Sequence, residues 1–142
     1  MRRGGGAGKF KSKMDGIQRA KRVWICDACN TWHRIKPNNK TCHCGSRDVL
    51  YFPSEIEAKR YPELKLLQRS GVISRLKTQH RFPCIVEKKL VCTYIADFVY
   101  NDKNGRIVVE DVKPKIFRTN EFRLKKKLFE AIYPYQITEV EP

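Results

Sequence analysis

The segment Tyr94-Ile-Ala-Asp97-Phe-Val-Tyr-Asn-Asp-Lys-Asn104-Gly105-Arg-Ile107-Val-Val-Glu110-Asp111-Val112-Lys113-Pro114 decides the fold of this chain. Two apolar runs flank a polar stretch, Asn101 to Gly105, and the Asn104-Gly105 dipeptide in it predicts a β-hairpin turn. Along the second run a side-chain period of two sets Asp111 and Lys113 next to one another on one face. Glu110 competes with Asp111 for the polar position, and the period shared with Lys113 favours Asp111. In the first run Asp97 interrupts an aromatic and apolar sequence. Folding the two runs against each other brings Asp97 toward Asp111. Burying such charges without a partner is costly, whereas a metal ion beside them would neutralise the carboxylates.

Outward from this hairpin the elements are legible. Ser54 to about Ser70 reads as a helix ended by Gly71, with Pro62 expected to kink it or split it in two. Strands are predicted over His80–Glu87, Leu90–Tyr100 and Arg106–Lys113. Thr119 or Asn120 caps a second helix reaching about Tyr133, with the stripe Leu124, Leu128 and Ile132. Pro134 stops it, and Tyr135 to Val140 makes a last strand. The order is α-β-β-β-α-β, an α/β (α+β) arrangement without internal repeats. Ser54-x-x-Glu57 forms a capping box, but Glu57 also lies on the stripe of Tyr61, Leu64 and Gln68 and tends inward. Both readings of Glu57 stand. Cys84 and Cys92 read as small buried strand residues.

Residues 23–52 form a separate cysteine module. Cys26-Asp-Ala-Cys29 is followed by Cys42-His-Cys44-Gly45, two close pairs of the kind tetrahedral zinc takes from a short chain with little core. Trp24, Trp32, Val49 and Tyr51 suit short strands packed on the metal. The module resembles a zinc ribbon, except that its second pair is C-x-C. His33 or His43 therefore competes with a cysteine as ligand, and a disulfide pair or thiols without metal are the alternatives to zinc. A four-thiolate site leaves no open position for water and is structural.

Thirty Lys and Arg oppose fifteen Asp and Glu, giving the 142-residue chain a net charge of +15. Such an excess points to a polyanionic partner, most economically nucleic acid. Residues 1–22 hold eight basic residues against Asp15 and read as a tail that cannot order itself alone. Gly4 to Lys9 fails as a phosphate loop, because Arg3 and Phe10 occupy the positions of the required Gly and Ser or Thr. No run approaches the ~18 apolar residues of a membrane helix, and the N-terminus lacks a secretory apolar core. The expected compartment is a reducing cytoplasm, that of a bacterial host if phage-encoded, where thiols remain free for metal.

Asp97, a hairpin, then Asp111-Val112-Lys113 resemble the signature of the PD-(D/E)XK, or restriction-endonuclease-like, nuclease superfamily, whose common core has the same α-β-β-β-α-β order. Pro53-Ser-Glu-Ile-Glu57-Ala-Lys-Arg-Tyr61, Ala96-Asp97-Phe98, Val109 to Lys113 and Phe122 to Leu128 are similar to a small nuclease-like family of phage and prophage genomes. The likeness spans about Phe52 to Val140 and implies a nuclease domain over 53–142. Ala96 departs from the motif's Pro, and Pro114 from a commoner Gly.

The resemblance implies that Asp97, Asp111 and the Val112 carbonyl, with Glu57, hold Mg²⁺ or Mn²⁺. It implies that Lys113 orients water or stabilises developing charge, and that Gln79 is an auxiliary polar residue. Arg118, Arg123, Lys125 and Lys126, with Arg34 and Lys36 of the ribbon, are the expected DNA contacts. The expected function is a divalent-metal-dependent DNA endonuclease, with phage analogy favouring branched or junction DNA, and RNA as another substrate class. A homodimer would give paired cuts. The competing class is a non-catalytic nucleic-acid adaptor for transcription or replication.

Overall fold

A computed structural model describes residues 21–114 and 118–142. The basic stretch over residues 1–20 lies outside the described residues. A three-stranded antiparallel sheet, ordered β2-β1-β3, comes from β1 (Val23–Cys26), β2 (Trp32–His33) and β3 (Val49–Phe52). Then follow α1 (Glu55–Arg69), β4 (Ser74–Val86), β5 (Lys89–Asn101), β6 (Ile107–Val112), α2 (Asn120–Ile132) and β7 (Ile137–Val140). The second sheet is β4-β5-β6-β7, antiparallel except for the β6–β7 pair, which is parallel across α2. This is the expected α-β-β-β-α-β order in an α+β fold. No helix among the described residues is long and apolar enough to cross a membrane.

Three local expectations change. β4 begins at Ser74 rather than His80, so the β4–β5 hairpin is longer than the apolar run suggested. It turns at Glu87 and Lys88, both with positive φ (45° and 66°), because Val86 pairs directly with Lys89. The two-residue loop thus adopts the twist that hairpins favour, despite lacking glycine. Pro62 lies inside a single α-helix and does not split it. Leu124 is 69% exposed; the buried stripe is Phe122 and Phe129, with Leu128 and Ile132 partly buried. At about 100° per residue Leu124 lies about 160° around the helix from Phe122, so only part of the apolar set can face the sheet. The predicted turn forms: Asp102 accepts from the Asn104 and Arg106 amides, and Gly105 takes φ 76°.

The large sheet carries a core on each face. Val23, Ile25 and Phe52 of the small sheet join Ala58, Tyr61 and Leu64 of α1 against Phe98 and Val112. Phe122 and Phe129 of α2 cover Phe82, Tyr94, Ala96, Val99, Val109 and Ile137. Ala96 and Phe98 are two residues apart yet belong to opposite cores, as do Leu76 and Phe82 on β4. Both strands therefore change phase between the paired positions Thr78–Phe98 and His80–Ala96, at Gln79 and Asp97, and Gln79 takes φ 49°. A left-handed, non-glycine residue is an irregularity of the kind that re-aims side chains beside functional sites.

On the α1 face Glu110 is 1% exposed and bonded by Arg60 Nε (2.8 Å), Arg60 Nη2 (3.2 Å) and the Tyr100 hydroxyl (2.9 Å). Removing the guanidinium would leave a buried, uncompensated carboxylate. Arg60→Ala is expected to cost about 3–5 kcal/mol in urea unfolding, and adding Glu110→Gln should recover much of it. Equal losses in the single and double variants would show that the pair carries no such coupling.

Candidate functional site

β5 and β6 pair only from Asn101–Ile107 to Phe98–Glu110, while β4 and β5 continue together to the hairpin tip. Past Glu110 the Val112 amide bonds not to β5 backbone but to the Asp97 carboxylate, at 2.8 Å. β6 is held there by its parallel partner, through Asp111–Glu139 and Val112–Val140. The strands thus part where Asp97 and Asp111 lie, and Asp97 is 9% and Asp111 4% exposed.

Each expected residue has a definite place around this parting. Asp111 accepts from the Tyr94 hydroxyl at 3.2 Å, and its other, buried oxygen accepts no hydrogen bond. That oxygen faces Lys113 Nζ at 3.4 Å, and the same ammonium lies 3.8 Å from the Phe122 ring centroid. Glu57, also 9% exposed, accepts from Gln79 Nε2 at 2.9 Å and from the Ser54 hydroxyl at 2.8 Å. Ser54 Oγ in turn accepts from the Glu57 amide, so the cap is formed by Ser54 while the Glu57 carboxylate points at Gln79. The Ser54 half of the capping box thus forms, whereas the Glu57 carboxylate meets the Ser54 hydroxyl and Gln79 rather than the helix N-terminal amide. Glu110, the rival of Asp111, is engaged by Arg60 on the opposite face.

The electrostatics of the cluster are unfavourable to charge. Burial, then the charges of Glu57 and Asp111, raise Asp97 to about 8, against the lowering by the Val112 amide and Lys113. Burial raises Glu57 and Asp111 as well, Asp111 despite Lys113. These carboxyls hold protons in the folded state that the unfolded chain would release. Their contribution to stability is thus full below about pH 4 and is lost as pH rises toward 8. Asp97→Asn, which keeps an acceptor for the Val112 amide, should flatten that decline and stabilise metal-free protein at pH 8 by about 2 kcal/mol. Parallel pH–stability curves for wild type and variant would refute it.

An open groove of about 310 Å³ runs from this cluster toward α2, lined by Asp111, Lys113, Tyr94, Thr119 and Lys125 among others. The expected DNA-contacting cations differ in their surroundings. Arg118 and Lys126 both meet Glu139 at 2.6 Å, Lys125 meets Glu121 at 2.6 Å, and Arg34 pairs with Glu55. Arg123 and Lys36 stand exposed. Sequence reasoning missed Tyr94, Phe122, Glu139 and the Arg60–Glu110 pair, all cross-element contacts without a local signature.

The second cluster is the cysteine module. Cys26 and Cys44 sulfurs lie 3.6 Å apart, as do those of Cys29 and Cys42, and all four fall within 4.8 Å of one another. Tetrahedral zinc with Zn–S bonds of about 2.3 Å needs sulfurs about 3.8 Å apart, so the set fits a structural zinc ion. His33 Nε2 is 3.3 Å and His43 Nδ1 3.5 Å from Cys42 Sγ. Gly45, at φ 85°, closes the second knuckle, its amide donating to the Cys42 carbonyl. Asp27, between the first two cysteines, binds the Tyr61 hydroxyl and Lys65 Nζ, tying the module to α1. Among the described residues, ligands close within 4.8 Å in groups of three or more only here and in the overlapping His33–Cys42–His43 set. The carboxylates of Glu57, Asp97 and Asp111 do not all fall within that distance of one another.

Comparison with known proteins returns a family of unknown function: the model for DUF1064 matches residues 45–140, about two thirds of the chain. The match begins just after Cys44. Neither the curated proteins nor the solved structures yield a match.

Proposed function

The chain belongs to the DUF1064 family, and we propose that it is a divalent-metal-dependent nuclease of PD-(D/E)XK type that hydrolyses phosphodiester bonds in DNA. The observation that carries this reading is the parting of β5 and β6 around buried Asp97 and Asp111, with Lys113 against an Asp111 oxygen that accepts no hydrogen bond. Three buried carboxyls with raised pKa form an unstable group unless protons or a cation neutralise them. Hard oxygen donors suit Mg²⁺ or Mn²⁺, with Asp97, Asp111, the Val112 carbonyl and Glu57 as the residues that would hold it. Bound there, the ion would supply Lewis acidity toward a phosphoryl oxygen and acidify a water.

The protein's own groups account for the rest of the chemistry. Lys113, propped between Asp111 and the Phe122 ring, offers its ammonium to negative charge developing on the phosphate. Glu57, whose carboxylate is oriented by Gln79 and Ser54, is placed to hold the ion or a water bound to it. The N-terminus of the 13-residue α2, capped by Thr119 at the groove, favours an adjoining phosphate. Arg118 and Lys126, both engaged by Glu139, orient β7 beside β6, while Arg123 and Lys36 are free to meet the backbone of DNA.

The test is nicking of supercoiled, linear and four-way-junction DNA with Mg²⁺ or Mn²⁺ against EDTA. Metal-dependent cleavage is expected. An inert protein on all three, and on structured RNA, would instead leave a nucleic-acid-binding adaptor.

A further inference from the structure

The small sheet has two faces. One carries Val23, Ile25 and Phe52 into the core; the other presents Trp24, which pairs in register with Tyr51. Their ring centroids are 5.4 Å apart and tilted by 52°, and Tyr51 is 42% exposed. These aromatics open onto a cavity of about 320 Å³, completed by Lys36, Pro37, Lys40 and Val49. Among the described residues no carboxylate pairs with Lys36 or Lys40. The turn that delivers Lys40 puts Asn39 and Lys40 in succession at φ 52° and 55°.

We propose that Trp24 and Tyr51 form a stacking platform for a base of unpaired DNA, with Lys36 and Lys40 on its phosphates. Flat aromatic faces beside two ammonium groups match a nucleotide, and bases inside a duplex are not available to stack on protein rings. A proline-rich peptide would use the aromatic cleft but gain nothing from the two lysines. That the strand is DNA rests on the nuclease reading, and it would make the substrate one with a single-stranded part, such as a flap or an open junction. The platform itself does not depend on cleavage.

The chain has two tryptophans, so Trp32→Phe leaves Trp24 as the sole reporter. Full-length protein carrying this change is titrated with a 12-nucleotide oligothymidylate, with a 12-bp duplex and with oligouridylate. Oligothymidylate should quench Trp24, and Tyr51→Ala should weaken its binding about 5- to 100-fold while duplex binding changes less than about 2-fold. Removing Lys36 and Lys40 should flatten the salt dependence by about 0.7 each. Tyr51 is a surface residue, and zinc content checks that each variant is folded. Unchanged Trp24 emission, equal weakening of duplex binding, displacement by a proline-rich peptide or a clear preference for oligouridylate would each overturn the proposal. Loss of cleavage on every substrate with quenching intact would sink the nuclease reading and leave the stacking platform. Cleavage without quenching would do the reverse.

Discussion

Asp111→Asn and Lys113→Met should each lower metal-dependent DNA cleavage by about 10²–10³-fold or more, with DNA binding within about twofold of wild type. Asp111 has one oxygen bound by Tyr94 and one that accepts no hydrogen bond, so replacing it by an amide removes charge where a cation would need it. The asparagine retains the acceptor for Tyr94, and the fold should survive. Lys113 lies 28% exposed over the Phe122 ring, and methionine preserves that packing while removing the ammonium. Single-turnover nicking at saturating enzyme isolates the chemical step, and anisotropy in Ca²⁺ reports binding. Glu110→Gln serves as the control on the other face. It should loosen the Arg60 contact and lower stability without a comparable loss of chemistry. If the two site variants cut at the wild-type rate, the strand parting is not the catalytic centre.

Stripping zinc is expected to lower the melting temperature by at least about 10 °C, and Cys26→Ser should do much the same. The reason is shared packing. Val23, Ile25 and Phe52 lie on either side of the cysteine knuckles and belong to the core that also holds Ala58, Tyr61 and Phe98. A module that unfolds without metal exposes that face of α1, and Asp27 releases Tyr61 and Lys65. Glu57 is on the same helix, so cleavage should fall too, and adding Mg²⁺ alone to chelated protein should not restore it. His33→Ala should keep one zinc per chain, because four sulfurs already cluster within 4.8 Å of one another. Metal analysis with thermal melts decides the matter; unchanged melting after complete removal of zinc would show that the module contributes nothing to the fold.

Much of the site was readable along the chain because it obeys local rules. A period of two put Asp111 beside Lys113 and Glu110 behind them, and the Asn104-Gly105 turn brought Asp97 back toward Asp111. The inward stripe of α1 marked Glu57 as well as its cap. The same rules misplaced Leu124, since a helix face is chosen by what covers it and not by every apolar residue it carries.

Sequence by itself determined the element order, the two cysteine pairs, the polar positions of β6 and the net positive charge. All of these depend on spacing, turn chemistry or composition within a few residues. Tertiary structure alone decided where β5 leaves β6, the change of phase at Gln79 and Asp97, and the commitment of Glu110 to Arg60. It also decided that Glu139 engages Arg118 and Lys126, and that Trp24 and Tyr51 face outward together. Each of these depends on which distant side chain fills the neighbouring space. Burial and charge compensation are set by partners tens of residues away, and no local period encodes them.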